Sequence, residues 1–289
     1  MQYSSITDFL TGATGALTKA PVATILPEDL VEVDTTIRHH QLAGFRTVVV
    51  FAPDEWKLPE DLQVEVFLVH HDMTAQNATC DVVNAMIDAA PGVWFYYCYN
   101  AEFLFFPFCE SRSIPELLAF HAEERRNAVL SYVIDLYAAD LNDHPQAVSL
   151  DSAFMDKSGY YALGRAEPDQ PDTPKDRQLN FYGGLRWRFE EHIPEVRRRI
   201  DRIALFRAKP GLRLRPDHTF NDEEYNTYSC QWHHNITVAT VSFRTAKALK
   251  TNAGSTFDIS TFKWHNSIEF QWNSQQLLYL GLMEPGQWF

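Results

Sequence analysis

Apolar positions in the first half of the chain follow two periods. Pro21 to Pro27, Thr47 to Ala52 and Val64 to Val69 are short, nearly continuous apolar runs bounded by turn residues, which predicts buried strands. Between the first two, Glu28 to Gln41 carries Leu30, Val33 and Ile37, with Leu42 beyond. That helical spacing closes at Gly44. Ala78 to Ala90 predicts a second helix, with Asn77 as N-cap and Pro91 and Gly92 as its stop. Val93 to Phe108 then forms the densest aromatic run in the chain, with Asn100 and Glu102 as its only strongly polar side chains, and reads as one buried strand. Ser113, Pro115 and Glu116 have the spacing of a capped helix start, running to about Asn127, and Ala128 to Tyr137 is a further strand. Strands alternating with helices predict an α/β domain with a mainly parallel sheet.

The pattern is less regular elsewhere. Residues 1–20 are polar and Gly/Thr-rich and read as a loosely packed arm. Residues 138–180 are loop-rich. Pro168, Pro171 and Pro174 alternate there with Asp169, Asp172 and Asp176, so Arg165 to Arg177 reads as a flexible insertion. Ile203 to Arg207 predicts a strand, and Val238 to Leu249 a helical segment ended by Asn252 to Gly254. The tail, Asn266 to Phe289, is aromatic enough to be ordered. The organisation expected is an arm followed by one domain, with halves at 21–137 and 138–289.

Composition narrows the function. The 289 residues include 38 acidic against 25 basic side chains, a formal charge of −13 that disfavours non-specific binding to nucleic acid or anionic membranes. Cys80, Cys98, Cys109 and Cys230 form no close pair and read as reduced core residues of a cytoplasmic protein. No apolar run reaches transmembrane length, and the amino terminus lacks a signal-peptide pattern. Peripheral contact with a membrane stays open. No dinucleotide-binding or P-loop glycine motif, nucleophile elbow or Cys/His signature is present.

Asn100 and Glu102 carry the first candidate chemistry, because polar groups in a buried strand need partners, structural or ligand. In open α/β sheets ligands bind at the carboxyl ends of strands, where this pair would sit. Arg186 and Arg188 follow Gly183 and Gly184 and flank Trp187. Guanidinium forks suit phosphate oxygens, and glycines permit close approach. Salt bridges to Glu190, Glu191 or Asp201 are the structural alternative. His233 and His234 are adjacent, so on a strand only one could face a given site.

The layout resembles a bacterial family-2-like glycosyltransferase over nearly the whole chain. Pro27 to Asp29 with Ile37 to Phe45 is similar to the family's first strand end and helix. Phe51 to Asp54 is similar to its second-strand acidic turn. Tyr99 to Leu104 occupies the place of its Asp-x-Asp-Glu-Phe metal motif, and Gly183 to Arg188 with Trp232 to Asn235 resembles its carboxyl-terminal signatures. The resemblance implies a glycosyltransferase-A fold, a Rossmann-like three-layer α/β/α sandwich with a carboxyl-terminal elaboration. It implies transfer of a sugar from a nucleotide-sugar to a saccharide or lipid-linked acceptor hydroxyl in surface polysaccharide assembly. Pro27, Glu28, Asp29, Asp54, Asn100, Arg186 and Arg188 would contact the nucleotide, although Glu28 and Asp29 also suit a helix amino terminus. Mn²⁺ or Mg²⁺ would sit with Glu102, Asn100 and one of His218, His233 or His234. The two aspartate positions of the motif hold Tyr99 and Ala101, so the metal site is altered. An inverting transfer needs one carboxylate as general base, for which Glu190 and Glu191 are the candidates, with Asp140 and Asp151 as alternatives. A non-catalytic nucleotide- or partner-binding protein and a nucleotide-sugar hydrolase are the competing readings.

Overall fold

The computed structural model describes residues 1–62, 66–167, 169–230 and 234–288. The chain is α/β with a mixed, mostly parallel sheet, and it divides into two compact units. The first holds residues 1–104, 111–129 and 203–226; the second holds 105–110, 130–202 and 227–289.

The first unit begins with β1 (Gln2–Tyr3), α1 (Ile6–Gly12) and α2 (Thr14–Leu17). This lead-in is packed and not loose: Phe9 and Leu17 are fully buried, and β1 pairs in parallel with β4. Two large apolar anchors outweigh the polar composition around them. Then follow β2 (Val22–Ile25), α3 (Val33–Leu42), β3 (Thr47–Ala52), β4 (Phe67–His70), α4 (Ala78–Ala89), β5 (Trp94–Cys98), β6 (Glu102–Phe105) and α5 (Ile114–Glu123). Strands β2, β3 and β5 are buried along their whole length, as continuous apolar runs in a parallel sheet should be. The expected strand over Val64 to Val69 is found at Phe67–His70, and residues 63–65 lie outside the described residues.

Strand order here is β1-β4-β3-β2-β5, parallel throughout, with Ile203 to Arg207 antiparallel beyond β5. The order reverses between β2 and β5. Right-handed crossovers therefore place α3 and α4 on opposite faces of this sheet.

Two further elements of the first unit differ from expectation. The helix expected from Glu28 starts at Val33, because Asp29 accepts the Val31 N–H at 2.9 Å and turns the chain first. The strand expected over Val93 to Phe108 breaks after Cys98, where Ala101 takes a left-handed conformation with φ of 55°. Asn100 and Glu102 are consequently not paired on one strand face.

The second unit contains most of β7 (Ala128–Ala138), then β8 (Ala153–Asp156), β9 (Tyr161–Glu167), β10 (Gln170–Tyr182) and α6 (Gly184–Arg188). After β11 (Asp201–Arg207) come β12 (Val238–Ser242), α7 (Arg244–Thr251), β13 (Ser267–Glu269) and α8 (Ser274–Tyr279). β7 is parallel to β12 and antiparallel to β8, which pairs with β13. The segment expected as a flexible insertion is the β9–β10 ribbon, apart from Pro168, which lies outside the described residues; Pro174 sits between two register shifts of β10. The helical segment expected from Val238 begins at Arg244, because Val238 to Ser242 is a fully buried β-branched run. The helix at Ser113 starts as expected, with the Ser113 N–H and O–H donating to the Glu116 carboxylate at 2.7 and 2.6 Å. No helix among the described residues is long and apolar enough to cross a membrane.

Candidate functional site

In the first unit, the carboxyl ends of β2 and β5 are adjacent, and their loops are tied together by Asn100. Its Oδ1 accepts the Glu28 N–H at 2.9 Å, and its Nδ2 donates to Asp29 Oδ1 at 2.5 Å and to the Val31 carbonyl at 2.8 Å. Asn100 is fully buried, yet both ends of its amide have partners, so burial is compensated. Glu102 is also fully buried, and Oε2 accepts the Tyr99 N–H at 2.9 Å, closing the turn around Ala101. The Ala101 N–H donates to Thr36 Oγ1 at 2.9 Å. The turn is thus locked onto α3 and onto the loop after β2.

Three of the remaining predicted nucleotide contacts surround this junction. Pro27 is buried, Glu28 is exposed and Asp29 is half-buried. Asp54 follows β3, is exposed, and lies 3.2 Å from Nδ1 of His70 at the end of β4. His218 stacks on Tyr97, with its Nδ1 3.0 Å from the Tyr97 hydroxyl. Beneath the turn, His40 Nδ1 donates to the Thr36 carbonyl at 2.7 Å and His39 Nε2 to the Leu104 carbonyl at 2.7 Å. Burial pulls both imidazoles below their ordinary pKa, His40 to about 3, so both are neutral and serve packing.

The donor set around Asn100 and Glu102 does not suit a divalent cation. Such an ion takes several oxygen ligands, whereas the Asn100 amide oxygen already accepts from a backbone N–H and the neighbouring imidazoles donate to carbonyls. Among the described residues, no three His, Cys, Asp or Glu are grouped so as to hold a metal ion. His234 is exposed in the second unit, and His233 lies outside the described residues.

The second unit places its predicted residues differently. Arg188 donates to both carboxylate oxygens of Asp156 at 3.0 and 3.2 Å and to the Phe262 carbonyl at 2.7 Å, with its guanidinium 4.5 Å above the Trp264 ring. Arg186 Nε lies 3.6 Å from Asp135 Oδ1 and 3.2 Å from Thr245 Oγ1, and its Nη1 donates to the Arg199 carbonyl at 2.6 Å. Both arginines are therefore engaged by acids and carbonyls of their own unit, and phosphate binding would have to displace those contacts. Gly183 and Gly184 do allow close approach, but to protein groups. A Cβ on Gly183 would overlap the Tyr160 ring, and one on Gly184 would lie 3.0 Å from Asp135 Oδ2. Glu190 and Glu191 are exposed, within 3.5 Å of Arg198 and 3.8 Å of His192 respectively.

Asp135 and Asp156 were not among the sequence candidates, although a lone acid inside the apolar run Val133 to Tyr137, and another ending the run Ala153 to Met155, is a signal that a buried charge needs a cation. Asp156 Oδ1 also accepts from the Tyr137 hydroxyl at 2.6 Å and Trp264 Nε1 at 2.7 Å. Burial pushes the Asp135 carboxyl up, against the opposing pull of Arg186. No protein-family model matches the chain, and no curated protein matches it.

Proposed function

We propose that the protein binds a nucleotide-sugar at the junction of β2 and β5 and transfers the sugar to an acceptor hydroxyl. One observation carries this reading: the order β4-β3-β2-β5 reverses beside the loop after β2, which carries Glu28 and Asp29 and is tied to the β5 loop by Asn100, with Asp54 on the neighbouring loop after β3. Ligands of open α/β sheets bind at such a reversal, and carboxylates there can accept hydrogen bonds from ribose hydroxyls. Asn100 positions the loop and does not itself need to touch the nucleotide. In the transfer, a carboxylate takes the acceptor O–H proton as the oxygen attacks the anomeric carbon, and the bond to the departing nucleoside diphosphate breaks. Glu190 and Glu191, the carboxylates the resemblance offers for this role, are exposed residues of the second unit. A divalent ion, where the reaction uses one, would need ligands other than the Asn100 amide.

A second reading, nucleotide binding without transfer, is favoured by one feature. Asn100 and Glu102, in place of the metal motif, are fully buried and bonded within the fold.

Calorimetric titration with UDP, GDP, CDP and dTDP, each with and without Mn²⁺, tests both readings. Binding by wild type that weakens in Asp29→Ala and disappears in Asn100→Ala supports the site. Binding of none of the four overturns both readings. Release of nucleoside diphosphate from a nucleotide-sugar only when acceptor is added selects the transferase, and release into water selects hydrolysis.

A further inference from the structure

The β9–β10 ribbon of the second unit is a sheet of its own, so each of its strands has one outer edge. The two edges differ. On β10, the Phe181 N–H donates to Asp201 Oδ1 and its carbonyl accepts the Ile200 N–H, both at 2.8 Å. Farther along, the Arg177 carbonyl accepts the Tyr228 N–H at 3.0 Å. Toward the turn the same strand carries Pro171 and Pro174, which offer no N–H, followed by Lys175 and Asp176. Bonded neighbours, prolines and charges are the devices that close a strand edge against other chains. The β10 edge has all three.

The β9 edge (Tyr161–Glu167) is open. Phe181 turns its backbone groups away from β9, so in the antiparallel alternation the opposite residue, Ala162, turns its own outward. Gly164 and Ala166 follow at the strand's period of two. Among the described residues, none of these three makes a hydrogen bond on that side. All three are exposed, and none has a side chain larger than a methyl group to shield its N–H. No proline or lysine lies between Tyr161 and Glu167. The strand is nonetheless held extended, because the buried Asp201 carboxylate accepts from Arg165 at 2.9 Å.

We propose that this edge pairs with the β9 edge of a second copy of the chain, antiparallel about a two-fold axis at Gly164. Charge and register select that occupant. Two chains of formal charge −13 repel over most of their surfaces, whereas β9 holds one arginine and one glutamate and is neutral. An axis at Gly164 pairs all 7 residues of the strand with their counterparts. It sets Ala162 of one copy opposite Ala166 of the other, Leu163 opposite Arg165 and Tyr161 opposite Glu167. No like charges are directly opposed, and a phenol O–H stands against a carboxylate. The two Gly164 residues exchange both backbone bonds at the axis, and Ala162 and Ala166 do so on either side. Such a contact closes at two copies and leaves the guarded β10 strands as the outer edges of a four-stranded sheet.

Sedimentation velocity on the full chain, between about 1 and 100 µM, tests the pairing. Expected is a dimer that Ala162→Pro and Ala162→Lys each weaken at least about tenfold. Ala162→Val keeps the N–H and should stay within about threefold of wild type. Hydrogen exchange over residues 161–167 should be slower in the dimer than in the monomer. A monomer at every concentration overturns the proposal. A dimer that leaves exchange over 161–167 unaltered, or that all three variants preserve, assigns the interface to another surface and overturns it as well. Should circular dichroism show that Ala162→Pro does not fold, Ala162→Lys and the wild-type exchange decide.

Discussion

The turn at residues 99–102 in the first unit and the Asp135–Asp156 network in the second solve the same problem by opposite means. Both bury polar side chains completely. The turn uses a neutral amide that bonds the loop after β2 and a carboxylate that accepts a backbone N–H of its own turn. The network uses two aspartates against two arginines, stacked among Trp264, Phe189 and Tyr137. The amide costs little to bury once its bonds are made, whereas the ion pairs stand only while both partners remain. The first arrangement shapes a loop near a sheet's carboxyl edge; the second fixes a core.

Acid should separate the two units most strongly. His39, His40 and His121 all belong to the first unit, and burial lowers each, His40 and His121 to about 3; His121 also feels the charge of Arg126. Among the described residues, neither ring nitrogen of His121 has a hydrogen-bond partner. A depressed histidine is neutral when folded and takes up a proton on unfolding below its ordinary value of about 6.5. Its contribution is thus complete above about pH 6.5 and is lost as pH falls toward 3. Each buried histidine adds a slope of about 1.4 kcal/mol per pH unit, so His40 and His121 together remove about 5 kcal/mol between pH 6.5 and 4.5. Asp135, raised by burial, has the opposite sign, since acid supplies the proton that its folded form holds more readily. Hydrogen exchange between pH 7 and 4.5 should show first-unit helices α3 and α5 opening before β7 and β8. Simultaneous opening would break the comparison.

Asp156→Ala should cost about 3–5 kcal/mol, because Arg188 would remain buried without its acid. Urea denaturation measures this, and a loss under about 1 kcal/mol would mean the network carries little. Asn100→Ala should cost less, about 2 kcal/mol for an unsatisfied Glu28 N–H and a released loop. Its effect on nucleotide binding should exceed its effect on stability, which Asp156→Ala should reverse. Gly183→Ala should cost about 1–3 kcal/mol through overlap with Tyr160, and Tyr160→Ala in the same chain should recover part of it, as a double-mutant cycle in thermal denaturation would read.

The strands of the first unit were legible because each is a short apolar run, and buried parallel strands need little else. The break at Ala101 was not legible. The run from Val93 to Phe108 has no glycine or proline before Pro107, and its left-handed residue is held by Thr36 and Glu102, which approach only in the fold. Asp29 delayed α3 through a local turn that its position after Pro27 could have suggested. In the second unit, the acids of 165–177 suggested a loop, while the anchor that orders the ribbon is Asp201, which joins it to Arg165 from 36 residues away. Arg186 and Arg188 were recognised as functional types, but which acids they meet depended on β7 and β8.

The sequence by itself determined the alternation of strands and helices, the capped start of α5, the acidic surface and the absence of the standard hydride-transfer and phosphate-loop motifs. These depend on spacing and composition, which act over a few residues. Only the tertiary structure decided that Asn100 ties two loops at a strand reversal, that the arginines face Asp135 and Asp156, and that Asp201 anchors the ribbon through Arg165. Burial and pairing set those outcomes, and both depend on groups that are distant in the chain and adjacent only when it is folded.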